Sequence, residues 1–242
     1  MVTQITVWGQ GDLMTNIIDR EAVRDLVADR RAQLVEVLPE KEYTWAHLPE
    51  AVHLPLAALR TSAGELDPGR PVVVYCHDWL CDVSPRAAHR LEHLGFENVY
   101  DYRQGKMDWL SADLPYEGTA TLVSRHLRRD PVRAALGDPL DEITERIIAD
   151  PAGLAVVVDD DDVVQGVIGS RELKGADLDG VAERAMRVGV TTVRPSEELE
   201  PLVRRMDRAK VDHIVVTRVD GTLVGLFGLG DVRPPETGPD FG

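Results

Sequence analysis

Apolar residues fall in two registers through the first half of the chain. "DREAVRDLVADRR" (19–31) places Val23, Leu26 and Val27 on one helical face, with Asp19 positioned to cap it. "QLVEVL" (33–38), "AVHLPL" (51–56) and "NVYDY" (98–102) read as short strands. "PVVVY" (71–75) is apolar without alternation, as expected of a strand buried on both faces. "SPRAAHRLEHLG" (84–95) predicts a helix with Ser84 as cap, Pro85 at its first position and Gly95 ending it. Strands alternating with helices predict a parallel α/β sheet.

The periodic signals stop around "ADLPYEGTAT" (112–121), where a linker is expected. Beyond it the pattern repeats. A shift of 59 residues lays "DPLDEITERIIADPAGLAVVVDDDDVVQGVIGSREL" over "EELEPLVRRMDRAKVDHIVVTRVDGTLVGLFGLGDV" without a gap. Each copy reads helix, strand, tight turn, strand, then an acidic residue opening a second helix. Leu140, Ile143 and Ile147 form the apolar stripe of one first helix, and Leu199, Leu202 and Met206 that of the other. A unit this small buries little alone, so the two copies are expected to stack and share a core.

Composition narrows the function classes. The chain has 242 residues, 43% of them hydrophobic, and a net charge of −15. Such a charge opposes binding to phosphate backbones and anionic lipid, so no nucleic-acid or membrane role is expected. "MVTQITVWGQGDLMTN" has neither a basic start nor an apolar run, so it does not read as a signal peptide. Two cysteines do not make a disulfide scaffold, so a cytoplasmic protein with reduced thiols is expected.

One of those thiols, Cys76, follows the "PVVVY" strand, and the carboxyl ends of strands are where α/β sheets collect reactive groups. The loop after it feeds a helix N-terminus, whose free N–H groups and dipole are expected to lower the thiol pKa. The alternative is a buried, inert cysteine.

From about Asp19 to Gly118 the chain resembles a rhodanese-like domain. The resemblance is carried by "LVEVLPEKEYTWAHLPEAVHLPL", "VVVYC", "SPRAAHRLEHLGFENVYDY" and "GKMDWLSADLP". It implies that Cys76 is a nucleophile carrying sulfane sulfur as a persulfide. The donor would be thiosulfate or a small-molecule or protein persulfide, and the acceptor a thiol or cyanide. The active-site loop would comprise His77, Asp78, Trp79, Leu80, Cys81 and Asp82, with Arg86 in the following helix. Several positions depart from the family pattern. Its Arg five residues after the cysteine is Cys81 here, followed by Asp82, and the loop is about two residues longer. Asp78 and Asp82 oppose a dianion and raise a thiol pKa. Arg86 compensates only if it points inward. The family's Asp-x-Arg is Glu36-Val37-Leu38, so that ion pair is expected to be absent. Cys81 also opens a dithiol reading, in which it resolves a Cys76 persulfide or sulfenate as a disulfide. A phosphatase would need an Arg where Asp82 stands.

The repeated half resembles a pair of CBS (cystathionine-β-synthase) domains, chiefly through "AMRVGVTTVRPSEELEPLVRRMDRAKVDHIVVTRVDGTLVGLFGLGDV". The resemblance implies a regulatory module that binds an adenosine nucleotide or S-adenosylmethionine and self-associates as a homodimer. By this match Asp231 is the ribose-binding acid, Glu172 its counterpart, and Thr192 the threonine before "VRP". The Ser or Thr usual three residues before each acid is Gly169 and Gly228 here. An empty, purely structural pair is the alternative.

Other motifs are set aside. "HRLEH" (89–93) matches H-x-x-E-H, but Ala87, Ala88, Leu91 and Leu94 define the buried face and turn His89 and His93 to solvent. "DDDD" (159–162) sits where the second copy has a tight turn. No metal and no required cofactor are expected. The expected architecture is a rhodanese-like parallel sheet with flanking helices over residues 1–117, then an α+β tandem CBS pair over 118–242. The copies cover about 122–175 and 181–234, with a short tail. The expected function is a Cys76 sulfurtransferase tuned by an adenosyl ligand; the alternatives are a non-catalytic nucleotide-sensing adaptor and a Cys76/Cys81 redox switch.

Overall fold

The computed structural model describes residues 16–28 and 31–232, so the reading of the first fifteen residues and the expected tail lie outside the described residues. The chain divides into two compact units. One comprises the residues up to Leu110 and Leu114–Ala120, the other Ser111–Asp113 and the chain from Thr121. No helix among the described residues is long and apolar enough to cross a membrane.

The first unit contains, in order, β1 (Asn16–Ile17), α1 (Arg20–Ala28), β2 (Gln33–Glu36), α2 (Glu40–Trp45), β3 (Val52–His53), α3 (Leu59–Ser62), β4 (Val72–Tyr75), α4 (Val83–His93), β5 (Val99–Tyr102) and α5 (Gly105–Ser111). The strands form one sheet in the order β1-β5-β4-β2-β3, every pairing parallel. The β4 residues are all fully buried because alternate side chains serve two cores. Val72 and Val74 pack with Ala87, Ala88 and Leu91 of α4; Val73 and Tyr75 pack with Val23 of α1 and Trp109 of α5.

Asp19 caps α1 as expected, its carboxylate accepting the Ala22 N–H at 2.9 Å. The start of α4 differs from expectation. The helix begins at Val83 after Asp82, and Ser84 lies inside its first turn, its hydroxyl directed at the Cys76 sulfur instead of capping. Gly95, at φ 93°, ends α4 as expected. Leu94 is 44% exposed, not part of the buried face, while His89 and His93 are solvent-facing as read.

The second unit contains β6 (Val132–Ala135), α6 (Leu140–Ala149), β7 (Leu154–Val158), β8 (Val164–Gly169), α7 (Ser170–Leu173), α8 (Ala182–Ala185), β9 (Thr192–Val193), α9 (Leu199–Ala209), β10 (His213–Thr217) and β11 (Leu223–Gly228). Its sheets, β6-β7-β8 and β11-β10-β9, are copies of one another. The parallel pair Arg133↔Val156 recurs as Thr192↔Val215, and the bulge at Val157/Val158 recurs at Val216/Thr217.

The copies exchange equivalent contacts. Arg128 bridges to Leu226, and the reciprocal bridge joins Arg187 to Val167; Val163 meets its own counterpart, Thr222. These are contacts of a pseudo-two-fold axis, on which Val156, Val167, Val215 and Leu226 build a shared core. Gly166 and Gly225 make the crossings feasible. A Cβ on Gly225 would stand 2.6 Å from the Arg128 carbonyl oxygen, and one on Gly166 would stand 2.8 Å from that of Arg187. "DDDD" forms the expected turn: the Asp159 carboxylate accepts the Asp161 and Val163 N–H groups, and Asp162 pairs with Arg133.

Candidate functional site

Cys76 is the first residue past β4 and is fully buried. Two elements fix it. Behind it, the opening amides of α5 hold its peptide: Lys106 N–H donates to the Cys76 carbonyl at 3.0 Å and Met107 N–H to that of His77 at 3.0 Å. That approach demands Gly105, at φ 66°, since a Cβ there would lie 2.6 Å from the Cys76 oxygen. In front, Sγ lies 3.3 Å from Ser84 Oγ, 3.6 Å from the Cys81 carbonyl oxygen and 3.9 Å from that of Asp78.

Asp78 shapes the loop. Its carbonyl accepts the Cys81 N–H at 3.1 Å and its carboxylate the Leu80 N–H at 2.9 Å. The resulting turn carries Cys81 back over Cys76, where its side chain packs against the same apolar cluster. The other Asp78 oxygen meets His77 Nδ1 at 3.0 Å, and this contact leads in holding the carboxyl below its ordinary pKa. Trp79 and Leu80 crown the loop, Leu80 being 90% exposed.

The thiol pKa moves opposite to the expectation from the helix N-terminus. Burial pushes Cys76 up to about 12; the Ser84 hydroxyl, which would donate to a thiolate, and the neighbouring Ser84 backbone only partly offset it. Desolvation outweighs the helix terminus because Sγ contacts apolar side chains and carbonyl oxygens. Arg86 does not compensate. It is 56% exposed and faces Asp82 at 3.5 Å.

Two cations at this edge of the sheet, Arg103 and Lys106, were not read from the sequence. Arg103, just past β5, lies 6.0 Å from the Trp79 ring centroid and is held by the buried Asp101 carboxylate at 2.7 Å. Strand-end position was the signal that could have found it. Glu36, which has no Arg two residues on, pairs instead with Lys106 of α5 at 2.9 Å, both side chains fully buried. Lys106 also donates to the carbonyls of Glu42 at 2.7 Å and Ala46 at 3.0 Å, tying α2 to the sheet. Burial still pushes the Glu36 carboxyl above its ordinary value.

In the second unit the two acids occupy equivalent places in unequal surroundings. Glu172 accepts the Gly169 N–H at 3.0 Å and is clamped by Arg187 at 3.2 Å, leaving its side chain 13% exposed. Asp231 accepts the Gly228 N–H at 3.0 Å and is exposed. Arg128, the counterpart of Arg187, forks onto Asp150 instead. His213 covers Gly228 beside Asp231, where the first copy has Leu154 over Gly169. Thr192 lies in β9 opposite Val215. The Cys76 group and the two acids therefore belong to different units.

Known proteins match each unit separately. The rhodanese-like domain model matches residues 19–112, and the CBS domain model residues 181–233. An HTH-type transcriptional regulator of Mycobacterium tuberculosis is 34% identical over 84 residues, 35% of this chain and 37% of that protein. The chain thus spans little more than a third of that relative's length. The thiosulfate sulfurtransferase GlpE of Coxiella burnetii is 31% identical over 85 residues, 35% of this chain and 78% of the relative. Among solved structures, the CBS domains of a transcriptional regulator from Streptococcus pneumoniae align at 18% identity and TM-score 0.42, covering 46% of this chain and 95% of that one. A Pyrobaculum aerophilum CBS domain protein complexed with AMP aligns at 25% identity and TM-score 0.41, covering 46% and 89%. The chain belongs to the rhodanese-like family through its first unit and carries a CBS domain in its second.

Proposed function

We propose that the first unit is a sulfurtransferase that carries sulfane sulfur as a Cys76 persulfide, and that the CBS pair tunes it on binding an adenosine nucleotide or S-adenosylmethionine. The observation that carries this reading is the position of Cys76: just beyond the central strand, beneath the Asp78 turn and beside a buried hydroxyl able to donate to its thiolate. The Cys76 thiolate attacks the outer sulfur of a persulfide donor, the donor S–S bond breaks, and the proton shed by Cys76 ends on the departing thiol. An acceptor thiolate then takes that sulfur, and Cys76 leaves as thiolate and is reprotonated. Loading requires displacement of residues 77–82, because Cys76 has no exposed surface. A persulfide suits the acidic loop better than the thiosulfate dianion, although Arg103 adds a cation 6.0 Å from the Trp79 ring centroid at the loop's crown. The same proposal puts this chemistry in the cytoplasm, a compartment that keeps thiols reduced. Self-association as a homodimer through the CBS pair belongs to the same proposal.

The test is transfer of sulfur from glutathione persulfide to a thiol acceptor by the full chain. Cys76→Ser is expected to fall to the uncatalysed rate; retention of the wild-type rate would overturn the reading. The burial of Cys76 and the outward pairing of Arg86 favour a second reading, a nucleotide-sensing adaptor that no longer turns over sulfur. A wild-type rate equal to that of Cys76→Ser, with an adenosyl ligand still bound, would support it.

A further inference from the structure

We propose that Cys81 is a resolving thiol that discharges a Cys76 persulfide inside the loop, releasing hydrogen sulfide and leaving a Cys76–Cys81 disulfide. This rests on Cys76 carrying sulfur, as read above, and adds a second exit that competes with any external acceptor.

The geometry comes from the turn at Asp78. Cys81 N–H closes it onto the Asp78 carbonyl, which brings the Cys81 carbonyl to 3.6 Å from Cys76 Sγ. The Cys81 side chain packs against the apolar cluster that contains Cys76, and Cys81 is among the groups that raise the Cys76 pKa. Both cysteines are free; Cys76 is buried and Cys81 half-buried. Cys81 is therefore held on the same loop against Cys76, so its attack on the persulfide is intramolecular.

The chemistry balances without an external oxidant. Cys81 Sγ attacks the inner sulfur, Cys76 Sγ. The Sγ–Sγ bond forms and the bond from Cys76 Sγ to the sulfane sulfur breaks. That sulfur leaves as hydrosulfide and takes up a proton: the sulfane sulfur is reduced and the two cysteine sulfurs are oxidised. Leaving-group strength favours this direction. Attack on the outer sulfur would expel the Cys76 thiolate, which burial makes a strong base, whereas attack on the inner sulfur expels the weaker base hydrosulfide. An external dithiol reductant returns the loop to its starting state.

The experiment exposes the full chain to glutathione persulfide, removes the donor, and follows non-reducing intact mass and released sulfide with time. Wild type is expected to gain one sulfur briefly, then to end lighter than the reduced protein by two hydrogens, with one sulfide released per chain. Cys81→Ser, and Cys81→Ala as a second variant that keeps the packing apolar, are expected to hold the added sulfur on Cys76 and release at least about tenfold less sulfide. Wild type that keeps its persulfide as long as the variants would overturn the proposal while leaving sulfur carriage intact. Absence of added sulfur on Cys76 in all three proteins would overturn sulfur carriage itself, and this proposal with it.

Discussion

The Lys106 ammonium lies 2.9 Å from the Glu36 carboxylate, and both side chains are fully buried. The pair joins β2 to α5, the element whose opening amides grip the Cys76 and His77 carbonyls. Lys106→Met leaves a carboxylate buried without its partner, which costs about 3–5 kcal/mol. Urea unfolding followed by tryptophan fluorescence reads this directly, since Trp8, Trp45, Trp79 and Trp109 all precede the second unit's repeat. Adding Glu36→Leu is expected to recover most of the loss; a single variant as stable as wild type would contradict the pairing.

Alkylation of Cys76 should be strongly pH-dependent. With the pKa pushed up to about 12, roughly one Cys76 in ten thousand is thiolate at pH 8. The deprotonated fraction grows about tenfold per pH unit below that value, so the rate should still be climbing at pH 10. Peptide-resolved iodoacetamide kinetics on the full chain measure it. Removing the hydroxyl in Ser84→Ala takes away a group that lowers the pKa and is expected to slow the reaction further at pH 9. A plateau near pH 8 would show that the helix terminus, and not burial, governs the thiol.

Gly225 is the backbone crossing of the pseudo-two-fold. A methyl group there meets the Arg128 carbonyl at 2.6 Å, so Gly225→Ala is expected to destabilise the second unit by about 1–3 kcal/mol. At Gly137 nothing lies within 4 Å of the added carbon, and Gly137→Ala should change stability by less than about 0.5 kcal/mol. Far-UV circular dichroism melts of the two variants compare them; equal melts would remove the steric argument.

The unequal acids of the second unit separate in a ligand melt. A ligand held at 100 times its Kd stabilises the state that binds it by about 2.7 kcal/mol. With AMP or S-adenosylmethionine as probe, Asp231→Ala is expected to lose the shift. Glu172→Ala should retain it, because Glu172 is already committed to Arg187 and the Gly169 N–H. The opposite pattern would move the ligand to the Glu172 side.

What the sequence made legible was local or repeated. The unbroken apolar run at Val72–Tyr75, the Asp19 cap and the Gly95 stop follow from nearest-neighbour rules and stand in the structure. The second unit was legible because two copies align without a gap, so its crossing contacts follow once the copies pair. The chemistry around Cys76 was less so. Lys106 is 70 residues from Glu36, and only the closed sheet brings α5 over β2. The thiol pKa depends on how completely the loop excludes water, which helix-terminus reasoning does not supply. Ser84 carries a cap-forming residue type at a plausible cap position, yet the helix starts two residues earlier than that cap implies and frees its hydroxyl for the sulfur.

The most direct measurement is the mass of the Cys81→Ser chain after exposure to glutathione persulfide, followed by mapping of the modified residue. Without Cys81 the sulfur has no internal exit, so a loaded Cys76 persists. A gain of one sulfur atom on Cys76 is the expected result. An unchanged mass, or sulfur mapped to any other residue, would contradict the account of Cys76 as the carrier.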